Sequence, residues 1–342
     1  MLPLGEPAMK TSSPFQLLFL FIVTILGTAS VCAGLQGDAS PCVHTGAVDA
    51  SAAAALDGEH FVAASDENSV LRVYGRQRGG PPLQSIDLAR FLGVSVTSSE
   101  TDIEGAARIG DRIYWISSHG RDKDGNVDLA RYRFFATEVR ATERGIELLP
   151  VGKPYRDLLA DLLGERRLQS FKLAAAATLA PKSPGGLSIE GLCVTPEKHL
   201  LIGFRNPIPG GRALLVPLLN ADAVVQGERA QFGAPIRLNL GGLGIRSMVS
   251  WEGQYLIVGG SYDGKGQSRL YRWAGDSRAP KLLRHVSFKG FNAEAIVVYP
   301  DEGLRRVQLL SDDSNRAEND RAGKGKTGSQ ERQFRSVWVK PQ

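Results

Sequence analysis

The sequence predicts an all-β chain folded as a β-propeller of five blades, with one helical insertion. Three observations predict it. A hairpin-sized unit recurs five times, strand-like segments follow each copy, and 342 residues at 42% apolar composition suffice for one closed core. The unit is clearest at Thr101 to Asp122. There an acidic pair, Asp102 and Glu104, precedes the Gly110-Asp111 turn, the apolar run Ile113 to Ile116 and the polar cluster around His119. Asp49 to Asn68, Ser188 to Asn206 and Gly244 to Asp263 align with it without gaps, and Asn292 to Ser314 aligns with a short insertion. Ser51, Glu190, Arg246 and Glu294 then stand where Glu104 does.

Each copy reads as two antiparallel strands joined by a tight turn, such as Asp57-Gly58 or Glu252-Gly253. Third strands are expected at Val70 to Tyr74, Leu129 to Phe135, Ala213 to Leu219, Arg269 to Trp273 and Arg335 to Val339, several alternating apolar with polar. Fourth strands fall near Leu83 to Leu88, Gly145 to Val151, Pro235 to Leu240 and Lys281 to Phe288. The fifth copy has little chain left after its third strand. The segment near Pro41 to Val48 is therefore expected to complete that blade and close the ring, which removes exposed sheet edges.

The long gap between the second and third copies, about residues 154–186, is expected to be a helical insertion. Leucines from Leu158 to Leu168 recur at helical spacing within Tyr155 to Leu173. It serves either as a lid or as a packed decoration; a sixth blade hidden there would lack the unit's signature. Residues about 315–332, rich in Gly, Ser and Lys, read as a flexible loop.

The N-terminus has the form of a targeting segment. Met9-Lys10 precedes the apolar stretch Leu17 to Leu26, and Val31-Cys32-Ala33 offers a cleavage site before Gly34. Residues 1–33 are thus expected to be a signal peptide, with 34–342 forming one exported domain in the periplasm or outside the cell. The apolar stretch is short against the roughly 20 residues a spanning helix needs, so no transmembrane segment is expected in the mature chain. Cys42 and Cys193 then remain, at positions expected to lie at different radii, so a disulfide between the two is not expected. The formal charge of +5 is dispersed. The basic tract Arg316 to Arg335 is interrupted by acids and lacks interleaved aromatics, so a nucleic-acid partner is not expected. A monomer is expected.

In such a ring the first strand of every unit lines the channel and the second runs back beside it. One channel mouth therefore collects Asp102, Glu104, Glu190, Arg246, Asn292 and Glu294 from strand starts. From strand ends it collects Asp66, His119, Arg121, Arg205, Asn206, Asp263 and Asp312. Facing carboxylates raise one another's pKa unless neutralised. Either a hard cation such as calcium, held by Glu104, Glu190, Glu294 and Asp102, or direct pairing with the arginines would do so. Arg121, Arg205, Asn206, Arg246, Asp263, Asn292 and Asp312 are the candidate contacts for a small anionic ligand or substrate, and His119 is the candidate proton shuttle. Polar bracing of the blades by the same residues is the competing reading. Asp122 to Asp128 has its glycine misplaced for an EF-hand and reads as a hairpin turn.

The phrases at Glu100 to Ala107, Ser188 to Leu192, Gly203 to Pro207 and Phe291 to Ala295 resemble those of an uncharacterised family of exported bacterial propellers, a domain of unknown function. More distantly the chain is similar to esterase-like phytase propellers and to five-bladed calcium-activated nucleotidases. The latter resemblance implies a central calcium held by glutamates at strand starts, matched here by Glu104, Glu190 and Glu294, and cleavage of phosphate anhydrides. Arg246 and Ser51 depart from that acidic pattern. The expected function is a calcium-assisted hydrolase of phosphate or other esters; the alternative is a non-catalytic module that binds an anionic ligand or a protein.

Overall fold

A computed structural model describes residues 41–95, 100–143, 145–314 and 332–342. The expected signal peptide and nearly all of the 315–332 loop lie outside these residues.

Among the described residues the strands form five antiparallel four-stranded sheets. Blade 1 comprises Ala52–Ala55, His60–Ala64, Val70–Gly75 and Gln84–Asp87. Blade 2 comprises Ile103–Ile109, Arg112–Ser117, Phe134–Thr142 and Gly145–Tyr155. Blade 3 follows with Ser188–Val194, Leu200–Asn206, Ala213–Leu218 and Ile236–Leu238, and blade 4 with Gly244–Trp251, Gln254–Gly260, Arg269–Trp273 and Lys281–Leu282. In blade 5, Ala293–Val297, Val307–Ser311 and Gln333–Val339 are completed by Cys42–Thr45 from the other end of the chain, with Cys42 opposite Ser336. That is the predicted closure.

The first strand of each blade packs against those of its two neighbours, blade 5 returning to blade 1, so the molecule is a five-bladed β-propeller. Its core lies between blades as five buried apolar clusters. The seam between blades 5 and 1 has an added lock. The Arg76 guanidinium lies 4.2 Å from the Tyr299 ring centre and donates to Asp301 at 2.8 Å.

Two expectations change in detail. Leu129–Arg131 is a 3-10 turn capped by the Asp128 side chain, and the third strand of blade 2 begins only at Phe134. The insertion is not one helix over Tyr155 to Leu173. Tyr155 ends a strand; Leu158–Gly164, Arg166–Phe171 and Leu173–Ala176 are three short pieces broken at extended Glu165 and left-handed Lys172. Leu158, Leu162, Leu168 and Leu173 are buried in the core shared with blades 2 and 3. Asp161 pins the insertion by accepting from Tyr155, from Arg229 at 2.8 Å and from the Ala230 amide at 2.9 Å. The insertion is a packed decoration. Among the described residues no helix is long and apolar enough to cross a membrane.

Candidate functional site

The first hairpin of four blades carries the same irregularity. Strand pairing slips at Glu104, Glu190, Arg246 and Glu294, the position at which the sequence unit places its charged residue. Bulges re-aim side chains and recur beside functional sites. The glycines that follow in blades 2 and 3 are required by close approach. A Cβ on Gly105 would lie 2.8 Å from Ile116 and 2.9 Å from Leu192, and one on Gly191 would lie 2.7 Å from Ile245. The Glu-Gly dipeptide thus combines two demands: a charge directed at the axis and a bare backbone where the next blade presses in.

The ring brings these charges together in two sectors. In the first, arginines neutralise the acids. Arg205 Nη1 donates to Glu190 Oε1 at 2.5 Å, and Arg246 Nε lies 3.7 Å from the other Glu190 oxygen. Arg246 also pairs with Glu294 and donates to Asn292 Oδ1 at 3.3 Å, while Asn292 donates in turn to Asp312 at 3.0 Å. Glu190, Arg205 and Arg246 are all buried.

The second sector has an acidic excess. One oxygen each from Asp66, Asp102 and Glu104 lies within 4.8 Å of the other two. Asp102 is held by Arg131 Nη1 at 2.6 Å, and that arginine is shared with Glu100. Among the described residues neither Asp66 nor Glu104 forms an ion pair. The Glu104 carboxyl is pushed well above the usual range by burial, then by Glu190, Asp102 and Asp66. Asp66 is pushed up similarly by burial and by Asp49 and Asp102. Burial also raises Asp102, with Arg131 opposing it. Asp102 adopts a left-handed backbone, φ 51°, rare for a residue with a side chain. Its amide donates to the Asp66 carbonyl and its carbonyl accepts from the Ser118 amide, so the strain is fixed between two blades.

Of the four residues expected to hold a cation, Asp102 and Glu104 therefore stand in the acidic cluster with Asp66. Glu190 and Glu294 are engaged by arginines. Both routes to neutralisation are used, in different sectors. An all-oxygen set at this separation fits a hard cation, since calcium lies about 2.3–2.6 Å from each oxygen ligand.

The other expected residues fall into two groups. Arg205, Arg246, Asn292 and Asp312 belong to the mouth network. Arg121, Asn206 and Asp263 do not. Arg121 donates to the carbonyls of Ala177 and Gly125, and Asn206 to those of Pro181 and Ser183, so both stitch the insertion to blades 2 and 3. Asp263 accepts from the Lys265 amide within its own turn, and Asp122 likewise caps the turn reaching Asn126. His119 is buried, its Nδ1 donating to the Ser117 carbonyl at 2.8 Å, and burial lowers its pKa to about 4. It is a neutral imidazole tied to its own strand. Cys193 is a buried free thiol.

Two residues of the site went unrecognised in the sequence. Asp49 accepts from Ser51, Ser65 and the Asp66 amide, bracing the acidic sector; its alignment with Asp102 was the available signal. Arg131 lies outside the repeated hairpin and carried no signal.

Residues 131–295 match a protein family described as "Protein of unknown function (DUF3616)". The match takes in Glu190, Arg205, Arg246 and Glu294 and begins after Asp66, Asp102 and Glu104. No curated protein matches the chain. Among solved structures the chain is similar to the PQQ-bound aldose sugar dehydrogenase of Streptomyces coelicolor, at 12% identity over 88% of this chain and 99% of that one, with a TM-score of 0.41. It is also similar to an exo-beta-1,3-galactanase of Phanerochaete chrysosporium, at 8% identity over 91% and 63%, with a TM-score of 0.45. A third is the GH43 protein BlXynB of Bacillus licheniformis, at 11% over 79% and 50%, with a TM-score of 0.40.

Proposed function

We propose that this is an exported propeller whose mouth holds calcium at Asp66, Asp102 and Glu104 and acts on phosphate or other esters. One observation carries the reading: three carboxylates converge where, among the described residues, Asp102 alone has a guanidinium partner. Burying such a group without compensation is unfavourable, and a divalent cation supplies the missing charge. When bound, the cation would act as a Lewis acid on an ester oxygen. Arg205, bonded through Nη1 to Glu190, has its Nη2 buried without a hydrogen-bond partner among the described residues and offers that donor to an anionic group. Arg246 pairs with both Glu190 and Glu294 and keeps them in place.

A second reading, a binding module without chemistry, draws on one observation. His119 is neutral and bound to the Ser117 carbonyl, which leaves the mouth, among the described residues, with its carboxyls as the groups able to act as acid or base. Calcium titration by calorimetry, with turnover of p-nitrophenyl phosphate, separates the two. Saturable calcium binding lost in Glu104→Gln, together with turnover, supports the enzyme. Binding without turnover supports the module, and absence of calcium binding sinks both.

A further inference from the structure

The channel has a second, chemically opposite end. Side chains two apart on a strand share a side and stand about 7 Å apart along it. Two residues beyond the charged positions, the five inner strands present Ala53, Ala106, Leu192, Met248 and Ile296. An apolar layer therefore underlies the charged one. It forms part of the wall of a cavity of about 420 Å³ that is also lined by Trp251 and Pro300.

Two polar side chains of this wall, Arg108 and Ser250, are bonded to backbone carbonyls. Arg108 donates through Nη1 to the Ala55 carbonyl at 2.8 Å and to that of Leu56, and through Nε to Gly110 at 2.8 Å. Its Nη2 lies 3.8 Å from Asp111. The Ser250 hydroxyl donates to the Val194 carbonyl at 2.6 Å. Arg108 is the charged side chain of this wall, and its Nε and Nη1 are spent on backbone carbonyls.

We infer that this end of the channel is a binding site for a small, uncharged, apolar molecule, distinct from the acidic mouth. Three features of the cavity select that occupant. Its wall is formed by residues from the inner strands of all five blades, most of them apolar. Its volume falls in the range of small-molecule pockets, about 300–1,000 Å³. For scale, an aliphatic cavity of about 150 Å³ already accommodates benzene. Ala53 and Ala106 stand where the other three blades carry Leu192, Met248 and Ile296, so blades 1 and 2 contribute the smaller side chains at that level.

The test uses the full chain and the uncharged fluorescent probe N-phenylnaphthylamine. A saturable rise in emission at one probe per chain is expected. Filling the bore in Ala106→Leu should weaken it by about tenfold or more, because a close-packed wall has no room for both. Ala53→Phe provides a second filled variant, and circular dichroism checks that each is folded. Glu104→Gln should bind the probe like the parent, since the apolar layer separates the two ends. The inference is overturned if no saturable emission develops, or if folded filled variants bind the probe unchanged. It is equally overturned if the chain elutes as a dimer that excludes the probe, which would place a second copy over this mouth.

Discussion

Arg131 Nη1 donates to Asp102 Oδ2 across 2.6 Å, joining a 3-10 turn outside the repeated hairpin to the most strained carboxylate of the mouth. Both side chains are about nine-tenths buried, so this is an interior ion pair. Removing one partner of such a pair strands the other. Arg131→Gln should lower unfolding stability in chelator by about 3 kcal/mol. If a cation occupies the neighbouring cluster, calcium should restore part of that loss. Urea unfolding with and without calcium measures both.

The acidic sector sets a pH dependence. Folding raises the carboxyls of Asp66 and Glu104 above their unfolded values, so the protonated form is favoured in the native state. The associated stability is fully present below the unfolded pKa and is lost as pH rises through the raised one. Metal-free protein should therefore lose stability as pH rises above the ordinary carboxyl range, while calcium binding should strengthen over the same rise as protons leave its ligands. A thermal shift by calcium that does not grow with pH would contradict the cluster as its site.

Ring closure should be acid-sensitive for a different reason. His44, on the strand that completes blade 5, stacks on Phe334 at 4.9 Å and meets Phe61 and Tyr74 edge-on. Burial lowers its pKa from 6.5 to about 4. A histidine with a depressed folded pKa costs stability as pH falls below the unfolded value, here from about 6.5 down to about 4, by on the order of 3 kcal/mol. His119 acts in the same direction. His44→Gln should thus be less stable at neutral pH yet lose less than the parent on acidification, as unfolding curves at about pH 7 and about pH 5 would report.

Cys193 should resist thiol reagents in the native protein. It is 2% exposed, and burial pushes its thiol far above the ordinary range, which removes the reactive thiolate. Maleimide labelling should appear only on addition of denaturant; rapid native labelling would mean that the inner strand of blade 3 opens.

The architecture was legible because a propeller writes its geometry into local repetition. Hairpin turns such as Glu252-Gly253, the charged residue at each strand start and the strand missing from the last copy all recur at fixed places in the unit. Closure by Cys42–Thr45 followed from counting strands. The broken insertion was less legible, since leucine spacing does not register the left-handed turn at Lys172 that ends its second piece.

By itself the sequence determined a ring of five repeated sheets and the set of charges gathered at one mouth, because both depend on short-range periodicity. Only the tertiary structure decided which carboxylate meets which guanidinium. It drew Glu190 and Glu294 to Arg205 and Arg246, and left Asp66 and Glu104 without ion-pair partners among the described residues. It also brought in Arg131 from outside the repeat. Pairing depends on distances of a few ångströms between strands far apart in the chain, and such distances exist only once the blades have closed around the axis.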